Sequence, residues 1–211
     1  MSQKFDNSDI NYVVKTLENF SAKYPELINH NSEDLETRVK NYLNKDIIPS
    51  IPLTVSDPLV SVILEAYYKI EKKNLEKVAY QHKLSMASEN IVGEYLELYI
   101  SSKTHKNRSW VHCVDSLVKG TDFVKYDNEE WQFLQIKNRY NSENSSSARI
   151  RKTFKKEYGI EIKKWFRTNR DGTDNWSVFP DKKLPDKQLS KLFSEKDFRN
   201  FIFSYLNHLA T

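Results

Sequence analysis

Near residue 100 the hydrophobic rhythm of this chain changes period, and that change limits the folds open to it. Before it, apolar residues fall at 59, 60, 63, 64, 67 and 70, and again at 91, 92, 95, 96 and 99 within SENIVGEYLELYI. That step of about 3.6 residues predicts helices. After it, SWVHCV, SLVKGTDFVKY, WQFLQIK and NWSVF read as strands, with DNEE as the turn between the second and third. GIEIKKWF is ambiguous between helix and strand. All four glycines lie beyond residue 92, on the strand-rich side of the boundary. An α+β chain follows, with a helical N-terminal region over residues 1–85 and a mixed core over residues 86–211.

The helical part is punctuated in the usual places. Asn7-Ser8-Asp9 can cap a helix that runs to about Tyr24, before Pro25. Ser32 can cap a second, with Glu33 and Asp34 in its first turn. DIIPSIPLTVSDP is an extended connector with three prolines, and Asp57-Pro58 opens a third helix. Tyr67 and Tyr68 on that helix are expected in the core or in a dimer contact. From about Asp186 the chain returns to helix, with Ser194 as the cap of its last one.

Charge is unevenly spread. Residues 1–102 carry 11 Lys/Arg and 15 Asp/Glu, whereas residues 103–170 carry 16 and 8. A middle with a net charge of +8 suggests a polyanionic partner for that part of the chain. The lone Cys113 excludes an internal disulfide and fits a reducing cytosol. His112 beside it has no second ligand cluster nearby, so both are expected as strand residues. There is no apolar run long enough to span a membrane and no visible secretory signal, so a cytoplasmic protein is expected.

The two central strands carry the chemistry. Alternation puts Gly120, Asp122 and Val124 on one face, and Trp131, Phe133, Gln135 and Lys137 on one face of the next strand. A short hairpin would make these strands antiparallel neighbours. Asp122, Gln135 and Lys137 then converge at the strand ends, with a helical Glu94, or Glu89 in its place, packed against the sheet. Such a set suits phosphodiester hydrolysis. Asp122 offers a hard oxygen ligand to Mg²⁺, the Gln135 amide and the Ile136 main-chain carbonyl offer neutral oxygens, and Glu94 completes the site or holds a water. Lys137 would orient the attacking water and stabilise charge on the phosphate.

GTDFV followed by LQIK resembles the PD-(D/E)XK nuclease core, in the variant with Gln in place of the second acid. The longer run QIKNRYNSENSSSARIRK, with IKKWFRTNRDGTDNW after it, resembles type II restriction endonucleases of the SinI type. The likeness covers about residues 90–180. It implies a mixed central sheet flanked by helices and Mg²⁺-dependent cleavage of double-stranded DNA. It further implies a homodimer acting on a short near-palindromic site, GGWCC for the SinI type, and a cognate DNA methyltransferase in the host. Carried over by position, the catalytic residues are Asp122, Gln135, Lys137 and Glu94. Thr121 stands where many members have Pro.

The polar run behind Lys137 is then expected to meet DNA. Its members are Asn138, Arg139, Asn141, Asn144, Ser145, Ser146, Ser147, Arg149 and Arg151. Arg pairs with guanine and Asn with adenine in the major groove, while Ser and Asn also hold phosphates. Lys155 extends the basic surface, and Arg167 and Asn169 are expected as further base readers. Trp165 and Trp176 are expected in the core. Two rival readings share these residues: a structure-selective repair or junction nuclease, and a DNA-binding module without catalysis.

Overall fold

A computed structural model describes residues 5–29, 33–51, 57–139, 145–183 and 185–209. Its contacts divide the chain into two compact units, Met1–Asp46 with Tyr95–Thr211, and Ile47–Glu94.

The first unit opens with α1 (Asn7–Lys23), which Asp6 caps by accepting from the Asp9 amide at 2.8 Å. Ile10, Val13, Leu17 and Phe20 form its buried stripe. Pro25 follows directly on its C-cap, Tyr24. Helix α2 (Leu35–Asn44) is capped by Asp34, whose carboxylate accepts from the Thr37 amide at 2.9 Å. Ser32, the expected cap, lies outside the described residues.

The second unit contains α3 (Pro58–Ala66), capped by Asp57, and the start of α4 (Lys72–Thr104). No residue of α3 is buried: Leu59, Val60, Val62 and Ile63 are exposed, as are Tyr67 and Tyr68 just beyond it. Tyr67 and Tyr68 are therefore not core residues of the chain.

From Tyr95 onward α4 belongs to the first unit, where Tyr95, Leu96, Leu98, Tyr99 and Ile100 are all buried. Four strands follow: β1 (Val111–His112), β2 (Phe123–Asp127), β3 (Glu130–Arg139) and β4 (Ile162–Thr168). They pair in chain order, antiparallel at the first two junctions and parallel at the third. Asn128 and Glu129 turn the β2–β3 hairpin with positive φ, 50° and 65°, as a tight two-residue turn requires. A parallel pair needs a crossover, and α5 (Ser145–Tyr158) supplies it between β3 and β4. The chain ends in α6 (Lys187–Ser190) and α7 (Glu195–Leu209). Ser194 caps α7 as expected, its hydroxyl accepting from the Asp197 amide at 3.0 Å.

The sheet is covered on both faces. Register aligns Val111, Val124, Phe133 and Ile162 on one, where Phe133 meets Phe20 of α1 edge-on at 5.6 Å. The other holds His112, Phe123, Leu134, Ile136 and Trp165. Trp165 packs on Trp176 at 5.0 Å, and Trp176 meets Tyr99 of α4 at 5.6 Å. Both tryptophans are core residues, as expected.

Several strand expectations change. NWSVF is a single 3₁₀ turn, Trp176–Val178, set by the burial of Trp176. GIEIKKWF resolves into β4. Only two residues of SWVHCV pair, and Cys113 lies just past the end of β1. SLVKG is a loop rather than strand, so β2 starts at Phe123.

Candidate active site

The loop ahead of Asp122 is held from several sides. Asp115 and Ser116 are consecutive non-glycine residues with φ of 52° each, a conformation that L-residues adopt only under constraint. Arg38 of α2 supplies part of that constraint, donating to the Asp115 carboxylate at 3.4 Å. Asn29 donates to the Ser116 carbonyl at 2.6 Å, and the Leu117 carbonyl accepts from the Asn29 amide at 2.8 Å. Gly120 then takes φ of +63°, and a Cβ there would lie 2.6 Å from Cγ2 of Ile150 on α5. Only glycine lets α5 sit this close to the turn that delivers Asp122.

Asp122 is fixed through main chain and side chain together. Its amide donates to the Leu134 carbonyl at 3.0 Å, and its carbonyl accepts from the Cys113 amide at 2.8 Å. Its Oδ2 accepts from the Ile136 amide at 2.7 Å. In a strand the N–H and C=O of one residue point to the same edge. The Ile136 carbonyl therefore faces the Asp122 side of β3, beyond Phe123, where β2 begins. Lys137 follows Ile136, and alternation puts it on the face of Gln135.

A second carboxylate joins them, and it is Glu97 of α4. Its Oε2 contacts Nε2 of His112 at 3.0 Å and accepts from the Tyr42 hydroxyl at 3.2 Å. His112 is buried, stacked on Tyr42 at 4.8 Å and edge-on to Phe123 at 4.9 Å. Burial pushes the Glu97 carboxyl up, but the His112 contact, the Tyr42 hydroxyl and the Lys137 charge outweigh it and hold it below its ordinary value. Asp122 moves the other way. Burial and the neighbouring Glu97 charge push it up to about 6, against the opposing pull of the Ile136 amide and Lys137. Two carboxylates and an ammonium thus feel one another at one end of the sheet.

Glu97 was not among the residues expected here. The apolar stripe at 91, 92, 95, 96 and 99 sets it on the far face of the helix, yet this end of α4 is buried nearly all round. An acid inside YLELYI, with apolar residues on both sides, was the available signal. Glu94 is exposed and closes the other unit, and Glu89 lies in that unit too. Gln135 is buried, and its Oε1, expected to face a metal, accepts from Nη1 of Arg151 at 3.0 Å.

Comparison with known proteins bears on this arrangement. The model of the SinI restriction endonuclease family matches residues 14–208. The chain is 39% identical to the type II restriction enzyme Eco47I of Escherichia coli, over 97% of this chain and 91% of that protein. It is 38% identical to the type II restriction enzyme SinI of Salmonella infantis, over 98% of this chain and 93% of that protein. The chain belongs to the SinI restriction endonuclease family. As a member it is a site-specific deoxyribonuclease, and its α+β architecture is that of a PD-(D/E)XK-like nuclease core.

Within that family frame, the residues expected to meet DNA fall into distinct groups. Asn141 and Asn144 lie outside the described residues. Ser145, Ser146 and Ser147 form the first turn of α5, so the run from Ser145 is helix rather than loop. Arg139, Arg149 and Lys155 are exposed. Asn138, Arg167 and Asn169 are instead engaged within the protein. Arg167 donates to Asn138 Oδ1 at 2.7 Å and to both oxygens of Glu195 at 2.6 Å, and its guanidinium lies 5.5 Å from the Phe198 ring centre. With a side chain 12% exposed, it braces the end of β3 against α7. Asn169 bonds Thr173 at 2.9 Å and Asn175 at 3.0 Å, closing the loop after β4. Among the described residues, no helix is long and apolar enough to cross a membrane.

Proposed function

We propose that this chain cuts both strands of duplex DNA at a short near-palindromic site of the GGWCC type, with Mg²⁺ as cofactor and as a homodimer. The observation that carries the reading is the gathering of Asp122, Glu97 and Lys137 at the end of the β2–β3 pair. An Asp pushed up to about 6 by burial and a second carboxylate is a site where a cation would relieve repulsion. Among the described residues no three His, Cys, Asp or Glu side chains cluster as a metal cage. Two carboxylates with a main-chain carbonyl fit a hard ion that keeps several of its waters, as Mg²⁺ does. Asp122, Glu97 and the Ile136 carbonyl would hold it.

When bound, such an ion polarises a phosphoryl oxygen and lowers the pKa of a coordinated water. The chain's own groups do the rest. Asp122, locked by the Ile136 amide, sets where the ligand oxygens sit. Lys137 donates to a non-bridging phosphate oxygen and offsets the charge that grows there in the transition state. His112 and Tyr42 both grip Oε2 of Glu97, which fixes the orientation of that carboxylate.

One centre cuts one strand, so a double-strand cutter acting on a near-palindrome works as a two-fold dimer. A cognate methyltransferase protects the host's own sites. The cytoplasm, where that DNA resides, is the working compartment.

Digestion of a defined plasmid with Mg²⁺, followed by end sequencing, tests the reading. Discrete fragments whose ends share a GGWCC-type string support it. Cuts confined to flaps, junctions or other irregular structures would favour a repair nuclease instead.

A further inference from the structure

Apolar side chains are exposed unevenly over this molecule. The second unit, Ile47–Glu94, is under a quarter of the chain, yet it carries eleven of the fifteen large apolar side chains exposed among the described residues. We propose that α3, with Tyr67 and Tyr68 after it, is the surface through which two copies of this chain pair. This rests on the homodimer reading above and deepens it by naming the contact.

The second unit has almost no core of its own. Among its described residues only Ile47, Ala87 and Ile91 are buried. Helices draw most of their stability from packing an apolar face, so α3 and the opening of α4 need a cover. The need is sharpest at α3. Its sequence PLVSVILEA is polar only at Ser61 and Glu65, which stand four residues apart on one edge. A helix that is apolar on its remaining sides belongs in an interior. Leu59, Val60, Val62, Ile63, Tyr67 and Tyr68 are instead between 44% and 77% exposed. These six fall within ten consecutive residues and present on the order of 600 Å², at the upper end of what a monomer ordinarily leaves in one patch. With the other exposed apolar groups of the unit the total is on the order of 1,000 Å², against about 800 Å² that each partner of a standard dimer buries. Tyr67 and Tyr68 meet edge-on at 5.0 Å, and paired aromatics of this kind are the usual anchors of an interface.

Charge decides the occupant. Residues 47–94 carry 5 Lys/Arg and 6 Asp/Glu, and α3 itself carries no cation, so this face does not attract a polyanion such as DNA. A helix that lies on lipid sets Lys and Arg along its polar edge, where α3 has Glu65. Two copies of α3 meet without that difficulty. Glu65, the one charge on the helix, lies 3.9 Å from Nζ of Lys72 in its own chain, so nothing on the apolar sides repels a second copy. A two-fold contact requires a surface that complements itself, and an uncharged apolar helix with an aromatic pair at its end does so.

Sedimentation of the full chain over a range of concentrations, without DNA, tests this on wild type, Ile63→Lys and Tyr67→Ala. Wild type should run at twice the chain mass. Ile63→Lys should weaken pairing by about 100-fold and Tyr67→Ala by about tenfold, with helical circular dichroism unchanged because both positions are exposed. A second measurement does not depend on those variants folding. Cys113 is buried, so a cysteine added on the surface is the reactive thiol. Val62→Cys should give a covalent dimer with a short bis-maleimide, and Glu18→Cys, at an exposed position on α1, should not. Wild type and both α3 variants dimerising alike, or equal cross-linking of the two cysteine variants, would overturn the inference and leave the homodimer reading intact. A wild-type chain that stays monomeric at every concentration would overturn both, as would one that binds anionic vesicles without pairing. A wild-type dimer that loses pairing in Ile63→Lys but does not cut DNA would support the inference and count against the nuclease reading instead.

Discussion

Asp122 reaches across the hairpin to accept the Ile136 amide proton at 2.7 Å, which ties the acid to the strand that carries Lys137. Side chain and backbone are thereby locked where a carboxylate and a main-chain carbonyl can serve one ion. The arrangement has an electrostatic cost, since Asp122 sits beside the Glu97 charge in a poorly hydrated place.

That cost predicts a trade between function and stability. The folded chain holds the Asp122 proton more tightly than the unfolded chain does. The group therefore favours folding below its unfolded value of 3.8, and this contribution is lost as pH rises through about 6. Asp122→Asn keeps an acceptor for Ile136 and removes the charge. At pH 8 in chelator it should raise stability by about 1–2 kcal/mol, measured by denaturant unfolding, while abolishing cleavage. A destabilised Asn variant would contradict the cause assigned to the shift.

The same shift sets a pH dependence for metal binding. Below about pH 6 a proton competes with the ion for Asp122. Calorimetric titration with Ca²⁺ should show affinity falling by up to about tenfold per pH unit below that point, and levelling off above it. An affinity unchanged between pH 5 and pH 7, both values on the order of one unit either side of that midpoint, would remove Asp122 from the ion's ligands.

Glu97 and Glu94 can be separated directly. Glu97→Gln should reduce cleavage by about 100-fold or more and weaken Ca²⁺ binding, because it removes a carboxylate beside Asp122. Glu94→Gln, at an exposed position in the other unit, should leave both near wild type. The reverse pattern would return the role to Glu94.

Gly120 should tolerate no side chain. Alanine there meets both a φ of +63° and an Ile150 methyl at 2.6 Å. Thermal unfolding should show Gly120→Ala destabilised by about 1–3 kcal/mol. Pairing it with Ile150→Ala should cost less than the sum of the two, since the second change clears the space. Strict additivity would mean that α5 does not press on the Asp122 turn.

Much of this site was legible in the chain because local rules agree there. Alternation through VKGTDFVKY and WQFLQIK put Asp122, Gln135 and Lys137 on a shared face, and the pairing of β2 with β3 has that register. The misreadings have definite causes. Ser145, Ser146 and Ser147, expected to meet DNA as part of a polar run, open α5, because Ile150 and Phe154 stand four residues apart amid good helix formers and α5 packs through them. Arg167 looked like a base reader because sequence shows its charge and not Glu195, its partner 28 residues away. Glu97 was hidden by its helix: one stripe does not describe a segment buried on most sides. The Gln135–Arg151 bond joins two residues each given a separate outward role, and only the packing of α5 on Gly120 makes them neighbours.

Cleavage of a defined plasmid with Mg²⁺, alongside duplex binding with Ca²⁺, tests the centre most directly when run on Asp122→Ala and Lys137→Ala. Both variants should bind duplex within about threefold of wild type and cut it at least about 100-fold more slowly. Undiminished cutting by either one would contradict the assignment of this strand end as the place where DNA is hydrolysed.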